Sequence, residues 1–245
     1  MAQLITGNSL TDGWRRAIVA LLDAPGHEIY DLLVEVAHPE LNNPEGLSTV
    51  DRYLATTGLQ NLDRVANTIF PARRAARARN RAAFYAGYER ILPRLMRRDR
   101  RNQRGTYFSR IIRFPLQPDP TRSNQLERVI TDLQMNPDRR MRHIYEIQVF
   151  APGRDLRPEG FPCLSSLSLH VEAGRLRLAA TYRNQFYVER GLGNFIGLAR
   201  LQRYIASEAG LPPGELSVHA FHAVLDRPIR DVRPLVDRLA ATEGE

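Results

Sequence analysis

From Leu167 to Glu172 the chain alternates apolar and polar residues, breaks at Ala173-Gly174 and resumes at Arg175-Leu176. A period of two puts successive side chains on opposite faces of a strand. The break carries the glycine of a tight turn. A strand pair is therefore predicted around 172–174, and the rest of the chain has to supply a sheet that includes it. Ile144 to Phe150 is a second alternating strand and Leu216 to Val224 a third. Ile29 to Ala37 alternates more loosely, and Tyr107 to Phe114 also reads as a strand. Helical spacing occupies the intervals. Leu10, Trp14, Ile18, Leu21 and Leu22 recur at it over residues 8–23, and Pro25-Gly26 stops that helix. Thr49 to Leu62 is helical with an interruption at Gly58. Asn124 and Glu127 form a capping-box pair at the head of a helix reaching Leu133. Phe195 to Ala209 and Val232 to Ala240 complete the set. No repeat and no sharp boundary appears. The expected architecture is one α+β domain over 1–245, with a mixed or antiparallel sheet packed with helices.

No apolar run approaches the roughly 18 residues that span a bilayer, so no membrane association is expected. Met1 to Thr6 lacks the basic start and apolar stretch of a secretory signal. The formal net charge is +8, and all 35 basic residues are arginine. Without lysine the chain has no Schiff-base chemistry and no Walker-type phosphate loop. Arginine grips phosphate bidentately, so the charge favours phosphorylated ligands or nucleic acid; uniform use of arginine is also what GC-rich codons produce. The basic residues are densest from Arg73 to Arg104, which reads as one or two surface helices. That stretch is either a solvated face beside a site or a nucleic-acid-binding surface.

Cys163 is the only cysteine, so no intrachain disulfide exists and a reducing cytoplasm is the expected compartment. A lone thiol is either a small buried hydrophobe or a nucleophile. It stands in Phe161-Pro162-Cys163, directly before the alternating strand, with Arg183 twenty residues on and Asn194 a further eleven. Taken alone, Arg183 is a surface ion-pair partner or an anion ligand, and Asn194 is a helix cap or a hydrogen-bonding group in a site.

The order of these landmarks over residues 123–225 resembles that of the thymidylate synthase and pyrimidine nucleotide hydroxymethylase superfamily. Asn136-Pro137-Asp138-Arg139-Arg140 is similar to the family's Asp-Pro-Asp-Ser-Arg-Arg turn. Pro162-Cys163 falls on its Pro-Cys, and Cys163 to Gly214 matches without a gap. The resemblance implies a thymidylate synthase-like fold, a homodimer, and an enzyme whose cysteine adds to C6 of a UMP-, dUMP- or CMP-type nucleotide. The nucleotide's C5 then takes a one-carbon unit from 5,10-methylenetetrahydrofolate. In these terms Cys163 is the nucleophile and Asp51 falls on the catalytic glutamate. Arg183 holds the phosphate, Asn194 reads the base with Asn184 nearby, and Arg139, Arg140 and Arg142 reach the phosphate in the partner subunit. His222 is the candidate for the sugar.

Several family positions differ. Phe186 replaces an aspartate of the base and folate environment, Leu164 replaces the histidine after the nucleophile, and Val224 and Asp226 replace the sugar-binding His and Tyr. The family's Tyr-Gly tyrosine falls on Phe108, with Tyr107 beside it. Three functions are therefore expected to compete: a pyrimidine C5 one-carbon transferase, methylase- or hydroxymethylase-like; a non-catalytic nucleotide-binding homologue; and a nucleic-acid-binding protein using the 73–104 segment.

Overall fold

A computed structural model describes residues 2–41, 43–114, 123–136, 144–156 and 162–243. Its centre is a seven-stranded mixed sheet. The strands are β1 (Gln3–Gly7), β2 (Glu28–Val36), β3 (Tyr145–Gln148), β4 (Leu164–Glu172), β5 (Arg175–Tyr182), β6 (Gln185–Phe186) and β7 (Pro213–Val224). The spatial order is β1-β2-β7-β5-β4-β3, with β6 beside β7. The β1–β2, β5–β7 and β6–β7 pairs are parallel, and the other three are antiparallel.

The helices are α1 (Leu10–Asp23), α2 (Pro44–Thr56), α3 (Leu62–Ala66), α4 (Ala72–Arg77), α5 (Arg81–Arg98) and α6 (Tyr107–Ile112). They continue with α7 (Gln125–Met135), a single turn α8 (Pro152–Asp155), α9 (Leu192–Glu208) and α10 (Ile229–Glu243). Among the described residues no helix is long and apolar enough to cross a membrane.

The alternation in the sequence becomes a one-sided core. Leu32, Val34, Leu216, Val218, Leu178, Ala180, Leu167 and Leu169 are buried on the helix-covered face. Their neighbours Glu35, Ser217, His219, Ala179, Thr181 and Ser168 are exposed or half-buried. The predicted β4–β5 hairpin turns through Ala173 (φ 48°) and Gly174 (φ 75°). Two consecutive positive φ angles match the strands' right-handed twist, and glycine takes one of them without strain.

Trp14, fully buried on α1, anchors the helix layer by donating its indole N–H to the Tyr187 carbonyl at 2.7 Å. Helix α9 lies against α3 at two glycines. A Cβ on Gly193 would sit 2.6 Å from the Val65 Cβ, and one on Gly197 would sit 2.8 Å from the Ala66 carbonyl oxygen.

Four elements differ from the periodicity reading. Tyr107 to Phe114 contains not a strand but helix α6. Thr106 caps it by accepting the Ser109 N–H at 3.1 Å, and Phe108, Ile111 and Ile112 are all buried there. Packing and a cap override the β-propensity of a Tyr-Phe-Ile-Ile composition. The Thr49–Leu62 helix divides into α2 and α3 around Gly58 (φ 68°). Helix α9 begins at Leu192, so Asn194 lies within its first turn and does not cap it. Strand β1, too short to show periodicity, forms the sheet edge. The Asn124 cap is present, accepting from Glu127 N at 3.0 Å. The Glu127 side chain is instead bound by Arg81 and Tyr85.

Candidate active site

Strands β5 and β6 are one strand with a break. Tyr182 pairs with Ala220 and Gln185 with Ala223, a constant offset, so the register on β7 survives the interruption. The break is Arg183-Asn184. There the Arg183 N–H turns to the Cys163 carbonyl at 2.9 Å, which fixes Cys163 beside it at the foot of β4. The β4–β5 register shifts between Leu164 and Ser166. The Ser165 carbonyl in this bulge accepts the N–H groups of Val149 and Phe150. A bulge bends the strand end and re-aims the residue next to it.

These irregularities open a cavity of about 660 Å³ with Cys163, Asn184 and Asn194 on its wall. The thiol is half-buried. Burial pushes its pKa above the ordinary thiol value, and the charges of Arg183 and then Arg190 pull it back. Asn194 is 4% exposed, and its side chain makes no hydrogen bond among the described residues. Asn184 presents a buried Oδ1 with no partner there, and the amide of the buried Gln185 is likewise unpaired. Unpaired amides of this kind are costly unless something meets them.

The cationic wall was not singled out by sequence. After β6 the chain enters a wide π-type turn, Tyr187–Gly191. Asp226 holds its start, accepting Val188 N at 2.8 Å and Glu189 N at 3.2 Å. Burial pushes the Asp226 pKa up, and the two backbone N–H groups oppose that shift.

The turn sets Glu189 and Arg190 at the cavity. Glu189 is shared by Arg101 at 2.6 Å, Arg227 at 3.3 Å and Arg190 at 3.4 Å. Three guanidinium groups around one carboxylate leave the cluster net positive, which suits an anionic ligand. Arg190 also donates to Gln60 at 3.0 Å. Tyr107 lies at the same wall with its phenol against the backbone of Cys163 and Leu164. Neighbouring Phe108 is entirely in the core. Arg190 follows Arg183 by seven residues at the head of a helix, and that spacing was the available sequence signal.

Other expected site residues lie elsewhere. Asp51 does not line the cavity; its Oδ1 accepts Leu62 N at 2.8 Å and ties α2 to α3. His222 lies on the exposed face of the sheet, 2.8 Å from Glu28 and stacked on Tyr30 with ring centroids 4.6 Å apart. Its register opposite Tyr30 keeps it out of the cavity. Arg183 is exposed and acts on Cys163 through charge and its backbone contact, without lining the wall. Arg139, Arg140 and Arg142 lie outside the described residues.

No protein-family model matches the chain. It is 42% identical over 73 residues to a protein of Methanopyrus kandleri named "Putative thymidylate synthase", covering 29% of this chain and 35% of that one. It is 33% identical over 113 residues to the thymidylate synthase of Cereibacter sphaeroides, covering 46% and 37%. The chain thus spans about a third of the length of these relatives. A solved structure, thermostable thymidylate synthase A from Bacillus subtilis, is similar at a TM-score of 0.41 and 23% identity, over 47% of this chain and 41% of that one. Over the matched segments the chain is thus similar in sequence to proteins named thymidylate synthase.

Proposed function

We propose that the protein transfers a one-carbon unit to C5 of a pyrimidine nucleotide, methylase- or hydroxymethylase-like, with Cys163 as nucleophile. The observation that carries this reading is the convergence of Cys163, two asparagines and an arginine cluster on one cavity at the broken β5–β6 strand. A cavity of this size is in the range of small-molecule sites. Relatives named thymidylate synthase support the reaction class.

In this chemistry the Cys163 thiolate forms a bond from Sγ to C6 of the pyrimidine. The C5–C6 π electrons move to C5 and on to the O4 carbonyl, giving an enolate. C5 displaces the carrier from a donor's one-carbon unit, the carrier leaving with the electron pair of the broken bond and taking up a proton, and C5 then loses its own proton. Expulsion of the thiolate restores the C5–C6 double bond. Arg183 and Arg190 favour the thiolate over the thiol. Arg101 and Arg190 are the cations for the phosphate. Asn194 and Asn184 offer amide donors and acceptors to the base edge. Asn194 favours uracil over cytosine by the family resemblance, which also assigns Arg139, Arg140 and Arg142 to a homodimer partner's phosphate.

The resemblance implies methylenetetrahydrofolate as the donor. Phe186, 44% exposed, stands where that resemblance expects a carboxylate, and the only carboxylate on the described cavity wall, Glu189, is bound by arginines. This donor set does not fit a pterin held through a free carboxylate.

Tritium release from C5-labelled UMP, dUMP, CMP and dCMP tests the proposal, with and without methylenetetrahydrofolate. Release from one nucleotide that disappears in Cys163→Ala is the expected result. Tight nucleotide binding with no release from any of the four refutes transfer and supports the second reading, a nucleotide-binding homologue. That reading is favoured by the upward push of burial on the thiol pKa and by the structural use of Asp51.

A further inference from the structure

A second cavity, of about 820 Å³, opens between α3, α4 and α5, and the chemistry above makes no use of it. Arg73, Arg74 and Arg77 enter it from α4 and Arg98 from the end of α5. All four are exposed, and none forms an ion pair among the described residues. The two acidic residues on the wall are already engaged. Asp63 is bound by Arg200 at 2.8 Å, and Asp99 by Gln60 at 2.6 Å and Arg64 at 3.3 Å. The cleft therefore carries four uncompensated positive charges.

Its floor is of a different character. Phe84 and Tyr88 are buried beneath it, and Ile91 and Leu95 are half-buried along α5. The Tyr88 hydroxyl bonds Thr106 Oγ1 at 2.7 Å. Burial pushes the Tyr88 phenol up to about 12, while its bond to Thr106 and then the Arg74 charge act in the opposite direction.

Like charges at i and i+4 on a short helix repel. Arg73 and Arg77 hold that relation on α4, with no acid to offset it. Arginine forks engage phosphate oxygens two at a time, and a chain of phosphates concentrates several charges within reach of a single cleft. An apolar floor beneath a cationic rim suits a ligand with a flat apolar body as well.

We propose that this cleft is a second binding site, taking a small, multiply phosphorylated ligand of the nucleoside polyphosphate class. Its wall meets the Cys163 cavity at Thr68, Asn102 and Thr106, so an occupant sits next to the thiol site without entering it.

Titration calorimetry of the intact protein with inorganic tripolyphosphate, and separately with ATP, tests the assignment at about 50 mM salt. Binding of both is expected, tighter for ATP if the floor takes the base. Arg73→Ala/Arg77→Ala should weaken each at least tenfold with an unchanged melting temperature, since both side chains are exposed. Arg190→Ala, in the neighbouring cavity, should leave both affinities within twofold. A loss of binding in Arg190→Ala, with Arg73→Ala/Arg77→Ala unaffected, would place the phosphate at the thiol site and overturn the proposal. Binding of neither probe while a single-stranded RNA 20-mer is retained would also overturn it, in favour of a nucleic-acid track.

Discussion

Removing the Asp155 carboxylate should destabilise the protein far more than any surface substitution. Asp155 is fully buried, and its partner Arg110 is 4% exposed. Two N–H groups of the guanidinium reach the two carboxylate oxygens at 2.5 and 3.0 Å. The arrangement is satisfied further: Arg110 donates to the carbonyls of Val149 at 3.0 Å and Arg104 at 3.4 Å, and Asp155 accepts Ala151 N at 2.8 Å. Unit charges about 4 Å apart attract by about 4 kcal/mol at an effective dielectric of roughly 20. The desolvation of both ions offsets much of that, so the pair's net contribution is small. Breaking it is a different matter, because Asp155→Ala leaves a buried guanidinium without a counter-ion. The expected loss is about 3–5 kcal/mol, a large share of a typical stability of about 5–15 kcal/mol. Replacing both by Arg110→Met and Asp155→Leu should recover most of it. Urea unfolding of the wild type, both single variants and the double variant gives the coupling energy directly. The sign with pH follows from the same contacts. Burial raises the Asp155 pKa, but Arg110 and the Ala151 N–H more than reverse this and hold it below the ordinary aspartate value. The contribution is therefore complete above the unfolded pKa near 4 and is lost as pH falls through the lower folded value. Asp155→Ala at a cost of 1 kcal/mol or less, or single effects that simply add, would refute this reasoning.

The Cys163 thiol should alkylate slowly at neutral pH, with a rate still rising where a free thiol (pKa about 8.5) has levelled off; Arg190→Leu should move that profile to higher pH, since it removes a charge that favours the thiolate. Iodoacetamide kinetics against pH read both effects, and a profile unmoved by Arg190→Leu would contradict the charge assignment. Gly193→Ala should cost about 1–3 kcal/mol by overpacking, because the new Cβ meets Val65 at 2.6 Å and the Leu62 carbonyl at 3.3 Å; a raised urea midpoint would show that the α3–α9 contact yields. Asp226→Ala should cost about 1–2 kcal/mol through loss of its cap on the π-type turn, and nucleotide affinity should fall with it. Affinity unchanged by Asp226→Ala would mean that the turn does not position Arg190.

Strands β3, β4, β5 and β7 were legible because apolar and polar residues alternate along them and one face is buried, and β2 through a looser alternation that breaks at Asp31. Periodicity is weakest where elements are short or capped, and that is where β1, β6 and α6 escaped it. The site divides along the same line. Cys163, Asn184 and Asn194 meet at one cavity because the match from Cys163 onward runs through a hairpin and a strand, where sequence offset determines spatial offset. Asp51 depended on an offset carried across loops, and His222 on a shift of two residues along β7 from Val224. A shift of two keeps the same face of a strand, and that face, opposite Tyr30, is the exposed one. Arg101 and Glu189 approach each other from segments 88 positions apart, and no local pattern in the sequence marks that meeting.

The geometry of the thiol site derives from one defect in an otherwise regular sheet. A continuous β5–β6 strand would send Arg183 and Asn184 into the ladder and leave no mouth beside Cys163. The break instead turns the Arg183 N–H to the Cys163 carbonyl and frees Asn184 for the cavity. The strand recovers its register at Gln185 for only two residues before the π-type turn begins. A π-type turn is wider than an α-turn and commonly occurs at functional sites. Here Asp226 at its start and the Trp14–Tyr187 bond beneath it hold it in place. The turn then delivers Glu189, Arg190 and, in the first turn of α9, Asn194 to the same wall. Thiol, cations and amides are thus positioned by backbone irregularities anchored in the core, so the cavity should keep its shape when individual side chains on its wall are replaced.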